Sequence, residues 1–199
     1  SMMFRYGITL ILDVLLGGLF AILQHNIQVL IGYWVADINL RHIRWINDYL
    51  PNCVTAFQNH SIPVLPIEDA SIDLISAYSV FSHLEAFDLT WLMELKRILR
   101  PGGILYVSVH SDHTWISMNK SWPVFKALKN HSGFDESIIG KPMNKSRYIF
   151  RSKNNNSYST NVFLTTEYIK KNWGRLFDII KIRRQHPGYQ DAVIMQNNI

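Results

Sequence analysis

His83 and His110 are the residues of this chain best suited to moving a proton. Each follows an apolar run at its polar end, residues 72–77 before His83 and residues 104–109 before His110. Histidine suits the role of general base because its ordinary pKa lies near neutrality. Asp112 and His113 follow His110 closely and are placed to orient it or to hold a polar acceptor. Cys53 is the single cysteine, which excludes an internal disulfide and a cysteine-based zinc site. No metal-ligand spacing appears elsewhere, so no metal is expected.

The elements that carry these histidines read as strand, loop, helix, glycine turn, strand. Ile72, Leu74, Ile75 and Ala77 form a mostly apolar run, as in a strand covered on both faces. Asp88 is expected to cap the following helix. Leu89, Leu92, Leu95 and Leu99 recur at helical spacing and predict one apolar stripe. Pro101-Gly102-Gly103 is expected to stop that helix before a second strand over residues 104–109. Two strands joined by a helix make a right-handed crossover and a parallel sheet.

The same alternation runs through the chain. Strands are expected at residues 9–15, 29–36, 54–57, 72–77 and 104–109, with helices at 19–25, 40–50 and after Asp88. Residues 122–129 and 166–173 read as helices, and 147–150 with 158–163 as a hairpin. Residues 177–183 and 192–196 read as two antiparallel closing strands. The expected fold is α/β, a Rossmann-like doubly wound sheet that is mostly parallel, with an antiparallel C-terminal strand. It is read as one domain over residues 1–199, with 111–165 as a substrate-side insertion. Such sheets bind ligands at the carboxyl ends of their strands.

The ordered run I-D-L-I, S-V-F-S-H-L, W-L-M-E-L-K-R-I-L and R-P-G-G-I-L resembles the second half of class I S-adenosylmethionine (SAM)-dependent methyltransferases. A second stretch, T-T-E-Y-I-K-K-N-W-G-R-L-F-D-I-I followed by Y-Q-D-A-V-I-M, is similar to a subgroup found with bacterial glycan and polysaccharide gene clusters. The resemblance implies SAM as cofactor, S-adenosylhomocysteine as product, and a small-molecule or glycan-linked acceptor methylated on oxygen. It assigns cofactor binding to Asp13, Gly17 and Gly18 after the first strand. It assigns the ribose hydroxyls to Asp37, 24 positions after Asp13, with Ile38 packing on the nucleoside. The alternative role for Asp37 is a cap for the next helix. Asn59 and His60 fall where the family contacts adenine, and Ser79 and Val80 lie beneath the methionine end. Gln190 and Asp191, in the last turn, are placed to hydrogen-bond sugar hydroxyls or to close the turn.

One departure bears on the cofactor. The family has a G-x-G-x-G loop, and here Asp13-Val14-Leu15-Leu16-Gly17-Gly18-Leu19 keeps only its middle glycine, with Leu15 and Leu19 in the flanking glycine positions. A catalytically silent module of the same fold is therefore the rival reading. An RNA methyltransferase is a third, favoured only by charge. Ser79-Val80-Phe81-Ser82 replaces the Asn/Asp-Pro-Pro-aromatic motif of amine methylation.

Composition agrees with a packed globular chain: 199 residues, 48% hydrophobic, six tryptophans. The net charge of +5 is scattered, so a nucleic-acid partner is not expected. The apolar run at residues 8–23 carries Asp13 and Gly17-Gly18 and falls short of the ~20 residues a span needs. It reads as a buried strand and helix, and a cytoplasmic protein is expected.

Overall fold

The computed structural model describes residues 8–13, 32–52, 54–151, 160–186 and 188–198. In chain order the elements are β1 (Ile8–Asp13), β2 (Gly32–Asp37), α1 (Leu40–Tyr49), β3 (Val54–Gln58), β4 (Ile72–Tyr78), α2 (Asp88–Ile98) and β5 (Leu99–Ser111). There follow α3 (Asp112–Ile116), α4 (Pro123–Leu128), β6 (Arg147–Phe150), β7 (Asn161–Leu164), α5 (Thr166–Asn172), β8 (Asp178–Arg183) and β9 (Asp191–Gln196).

The first five strands lie parallel in the order β3-β2-β1-β4-β5. β9 runs antiparallel beside β5, from Ile104↔Gln196 to Val109↔Asp191, and β8 pairs antiparallel with β9. This is the doubly wound sheet with an antiparallel C-terminal strand that the sequence predicts. Residues 8–13 are a strand, as expected of the start of the apolar run. The predicted helix at residues 19–25 and the glycine loop lie outside the described residues.

Beyond Val109 the long strand β5 changes neighbour. His110 and Ser111 pair in parallel with Phe163 and Leu164 of β7, which forms a hairpin with β6. The hairpin expected from residues 147–163 is thus joined to the carboxyl end of β5.

Burial follows the sequence pattern. Ile72, Ile75 and Ala77 of β4 meet Leu92, Leu95 and Ile98 of α2 and Leu105 and Val107 of β5 in the main core. Each fully buried leucine or isoleucine side chain contributes about 1.5–3 kcal/mol. A second apolar cluster joins Trp115, Phe125, Leu128, Phe150 and Phe163, so the segment after β5 packs around aromatic side chains of its own.

Two local expectations are corrected. Asp88 is not the cap of α2: that position is Phe87, in the left-handed region at φ 64, and no side chain caps the helix. Asp88 is instead buried and accepts from Arg147 Nη1 (3.1 Å), Tyr168 Oη (3.0 Å) and Trp173 Nε1 (3.1 Å). Nor do residues 101–103 stand outside the strand. Gly102 (φ +78) donates to the Asn197 carbonyl at 2.5 Å, and Asn197 donates back to Gly103 at 3.0 Å, so the turn is paired into β5. Gly103 leaves no room for a Cβ, which would fall 2.8 Å from the Leu99 side chain.

Candidate active site at the carboxyl edge of the sheet

Strand register brings the expected residues to one edge. Asp13 pairs with Tyr78, and Asp37 with Gln58, so the carboxyl ends of β1, β2, β3 and β4 share one row. Asp191 pairs with Val109, which places the loop before β9 at the same edge.

Asp37 is buried and closes β2. Its Oδ1 accepts the Asn39 backbone N–H at 2.7 Å, and its Oδ2 accepts from His42 Nδ1 at 2.7 Å. Asn39 Nδ2 lies 3.2 Å from His42 Nε2, on the other side of the same ring. The cap of α1 is Asn39, whose Oδ1 accepts from the Arg41 N–H, and this leaves Asp37 free of the alternative role weighed for it. Ile38 is half-buried and its carbonyl accepts from Gln58 Nε2 at 3.0 Å. Asn59 follows β3, and its buried Oδ1 has no hydrogen-bond partner among the described residues. His60 is exposed beyond it.

At the end of β4, Ser79 and Val80 are both buried, and Ser79 has φ 58. A non-glycine residue in that region is strained by roughly 1–2 kcal/mol. A closed ring of hydrogen bonds holds it there. The Ser79 N–H donates to Ser108 Oγ at 2.7 Å, Ser108 Oγ donates to Gln190 Oε1 at 2.5 Å, and Gln190 Nε2 donates to Ser79 Oγ at 3.0 Å.

The two histidines stand with ring centroids 6.3 Å apart, and they differ. His110 is fully enclosed between Phe163 and Tyr189, and burial pushes its pKa down to about 3. Gln190 Nε2 lies 3.5 Å from its Nε2, and its buried Nδ1 has no partner among the described residues. His83 is half-buried and its Nδ1 lies 2.6 Å from the Thr160 carbonyl oxygen. A carbonyl only accepts, so Nδ1 carries the proton and Nε2 keeps its lone pair. Burial lowers the His83 pKa more than this bond raises it.

Asp112, His113 and Asp191 form a neighbouring cluster. Buried Asp191 accepts from Ser111 Oγ (2.5 Å), His113 Nδ1 (3.3 Å) and the Gln185 N–H (2.8 Å). Asp112 Oδ1 accepts from Thr166 Oγ1 at 2.6 Å. Gln190 and Asp191, expected to face an acceptor, thus spend their polar atoms inside the protein. The residues that the sequence reading missed are His42, Ser108, Tyr189 and the Thr160 carbonyl. Only His42 left a local signal, one helical turn into α1 from Asp37. Gly17 and Gly18, with Leu15 and Leu19, lie outside the described residues, as does the Asp13 side chain. Among the described residues no group of His, Cys, Asp and Glu is arranged to hold a metal ion, and no helix is long and apolar enough to cross a membrane.

Residues 17–107 match the sequence model of a family described as "Methyltransferase domain". No curated protein matches the chain. Solved structures share its fold. A protein from Pyrococcus horikoshii superposes with a TM-score of 0.59 at 12% identity, over 96% of this chain and 82% of that one. A SAM-dependent methyltransferase from Methanosarcina mazei gives 0.53 at 16%, over 83% and 82%. The [4+2]-cyclase SpnF gives 0.52 at 17%, over 89% and 53%. Buried Asp37 and the unpartnered acceptor of Asn59 suit a ribose and an amino-bearing base, which fits the nucleoside half of SAM. Residues 17–107 thus carry a match to a methyltransferase-domain family, set in a strand order whose fold is shared with solved SAM-dependent methyltransferases, and SAM is the cofactor that this likeness implies.

Proposed function

We propose that this chain transfers a methyl group to a hydroxyl of a small-molecule or glycan-linked acceptor, with His83 as general base, in the cytoplasm. The observation that carries the reading is the tautomer of His83: the Thr160 carbonyl holds the proton on Nδ1, and burial keeps the ring neutral, so Nε2 is a ready proton acceptor.

Asp37 would accept from the ribose hydroxyls, Asn59 Oδ1 from the adenine amine, and the backbone at Ser79 and Val80 would flank the amino-acid end. Asp13, Gly17 and Gly18 complete the set by family resemblance. SAM, when bound, supplies an electrophilic methyl group on a sulfonium. The protein's part is to bring the acceptor oxygen into line and to receive its proton on His83 Nε2, positioning that can supply several kcal/mol. Half-buried Trp122 and Tyr189, stacked at 5.6 Å, offer a flat apolar wall beside His110 for a ring-shaped acceptor.

A second reading has specific support. Leu15 and Leu19 replace two loop glycines, and SpnF carries cyclase chemistry on this fold, so fold alone does not bring methyl transfer. Calorimetry of the folded protein with SAM and S-adenosylhomocysteine separates the two: micromolar binding supports the enzyme, and no binding of either supports the silent module.

A further inference from the structure

Ser79 stands in a backbone region that serine seldom adopts, at φ 58, directly after β4. Its brace comes from far along the chain. Gln190 is buried, 111 positions away, and spans two serines: its Oε1 accepts from Ser108 and its Nε2 donates to Ser79. The Ser79 N–H closes the ring onto Ser108 Oγ. The ring needs a donor and an acceptor at a fixed separation on one side chain. A glutamine provides both; a glutamate provides two acceptors, and a methionine of similar volume provides neither. Gln190 is itself held, because its carbonyl accepts from the His186 N–H at 2.7 Å and Asp191 beside it accepts from the Gln185 N–H.

We infer that Gln190 is a positioning residue for the cofactor: it fixes Ser79 in the left-handed turn and so shapes the backbone that receives the amino-acid end of SAM. This rests on Ser79 and Val80 being cofactor contacts. The C-terminal loop, which the sequence suggests for the acceptor, thereby serves the donor side.

The test is a double-mutant cycle on the full chain, with S-adenosylhomocysteine titrated calorimetrically and melting temperature recorded for every variant. Gln190→Met, which keeps the volume, and Gln190→Glu should each weaken binding about tenfold. Ser79→Gly removes the need for a brace, because glycine takes positive φ freely, and its own affinity is the reference for the second arm of the cycle. In the Ser79→Gly background, Gln190→Met should then have no further effect on affinity. A Gln190→Met protein that binds like the wild type overturns the proposal, as does a double variant that loses the full tenfold again. A folded wild type that binds no S-adenosylhomocysteine overturns the cofactor reading itself, and this inference with it.

Discussion

His42 Nδ1 donates to Asp37 Oδ2 at 2.7 Å, tying the first turn of α1 to the acidic end of β2. The imidazole holds one carboxylate oxygen while the Asn39 N–H holds the other at 2.7 Å. A carboxylate oxygen accepts more than one hydrogen bond, so both remain competent toward ribose hydroxyls. Asp37→Ala should therefore weaken S-adenosylhomocysteine binding by roughly 1.5–3 kcal/mol, the range for hydrogen bonds to a charged group. His42→Ala should have a smaller effect in the same direction. Calorimetry on both folded variants checks this, and an unchanged affinity for Asp37→Ala would remove it from the site.

His83→Asn should lower the rate of methyl transfer about 10²–10⁴-fold, the usual contribution of a general base, while leaving cofactor affinity nearly unchanged. The sign of the pH dependence follows from burial. The neutral ring is the active form, and its pKa lies below the ordinary 6.5. The rate should rise with pH through that lowered pKa and be level at neutrality. A rate profile that climbs only above pH 7 would assign the proton to another group.

His110 makes a stability prediction. Its pKa is about 3 in the folded chain against 6.5 when unperturbed. Between those values the unfolded chain binds the extra proton, so stability must fall as pH drops from 6.5 towards 3. His110→Phe, which keeps an aromatic ring between Phe163 and Tyr189, should flatten the acid limb of a melting temperature–pH curve. An unaltered slope would place the acid sensitivity elsewhere.

Asp88→Ala should destabilise the fold by about 3–5 kcal/mol, the penalty for breaking a buried ion pair. It leaves Arg147 with only the Glu85 and Leu84 carbonyls, and the donors of Tyr168 and Trp173 without their carboxylate. Urea denaturation of the variant measures it directly, and a loss below about 1 kcal/mol would show that water replaces the carboxylate.

The strand–helix alternation was legible in the sequence because its signal is local. Ile72, Leu74, Ile75 and Ala77 announce a strand within a few residues, and Leu89, Leu92, Leu95 and Leu99 announce the apolar stripe of a helix. Ile72, Ile75, Ala77, Leu92 and Leu95 are buried there, whereas Leu89 is half-buried, Leu74 is exposed and Leu99 already belongs to β5. The carboxyl-edge positions of His83, His110 and Asp37 follow from the same periodicity, since a strand's end locates the residues beyond it. What tertiary structure alone decided is what those side chains do. Asp88 reads locally as a cap, but its partners stand 59 to 85 positions away. Gln190 reads as a turn residue on a ligand-facing loop, but it is bonded to Ser79 across 111 positions. His83 and His110 look alike in sequence; the Thr160 carbonyl, 77 positions from His83, and the aromatic enclosure of His110 make them chemically different. Hydrophobic periodicity is set by neighbours in the chain, whereas a buried polar group takes whichever partner the packed fold brings within hydrogen-bond reach.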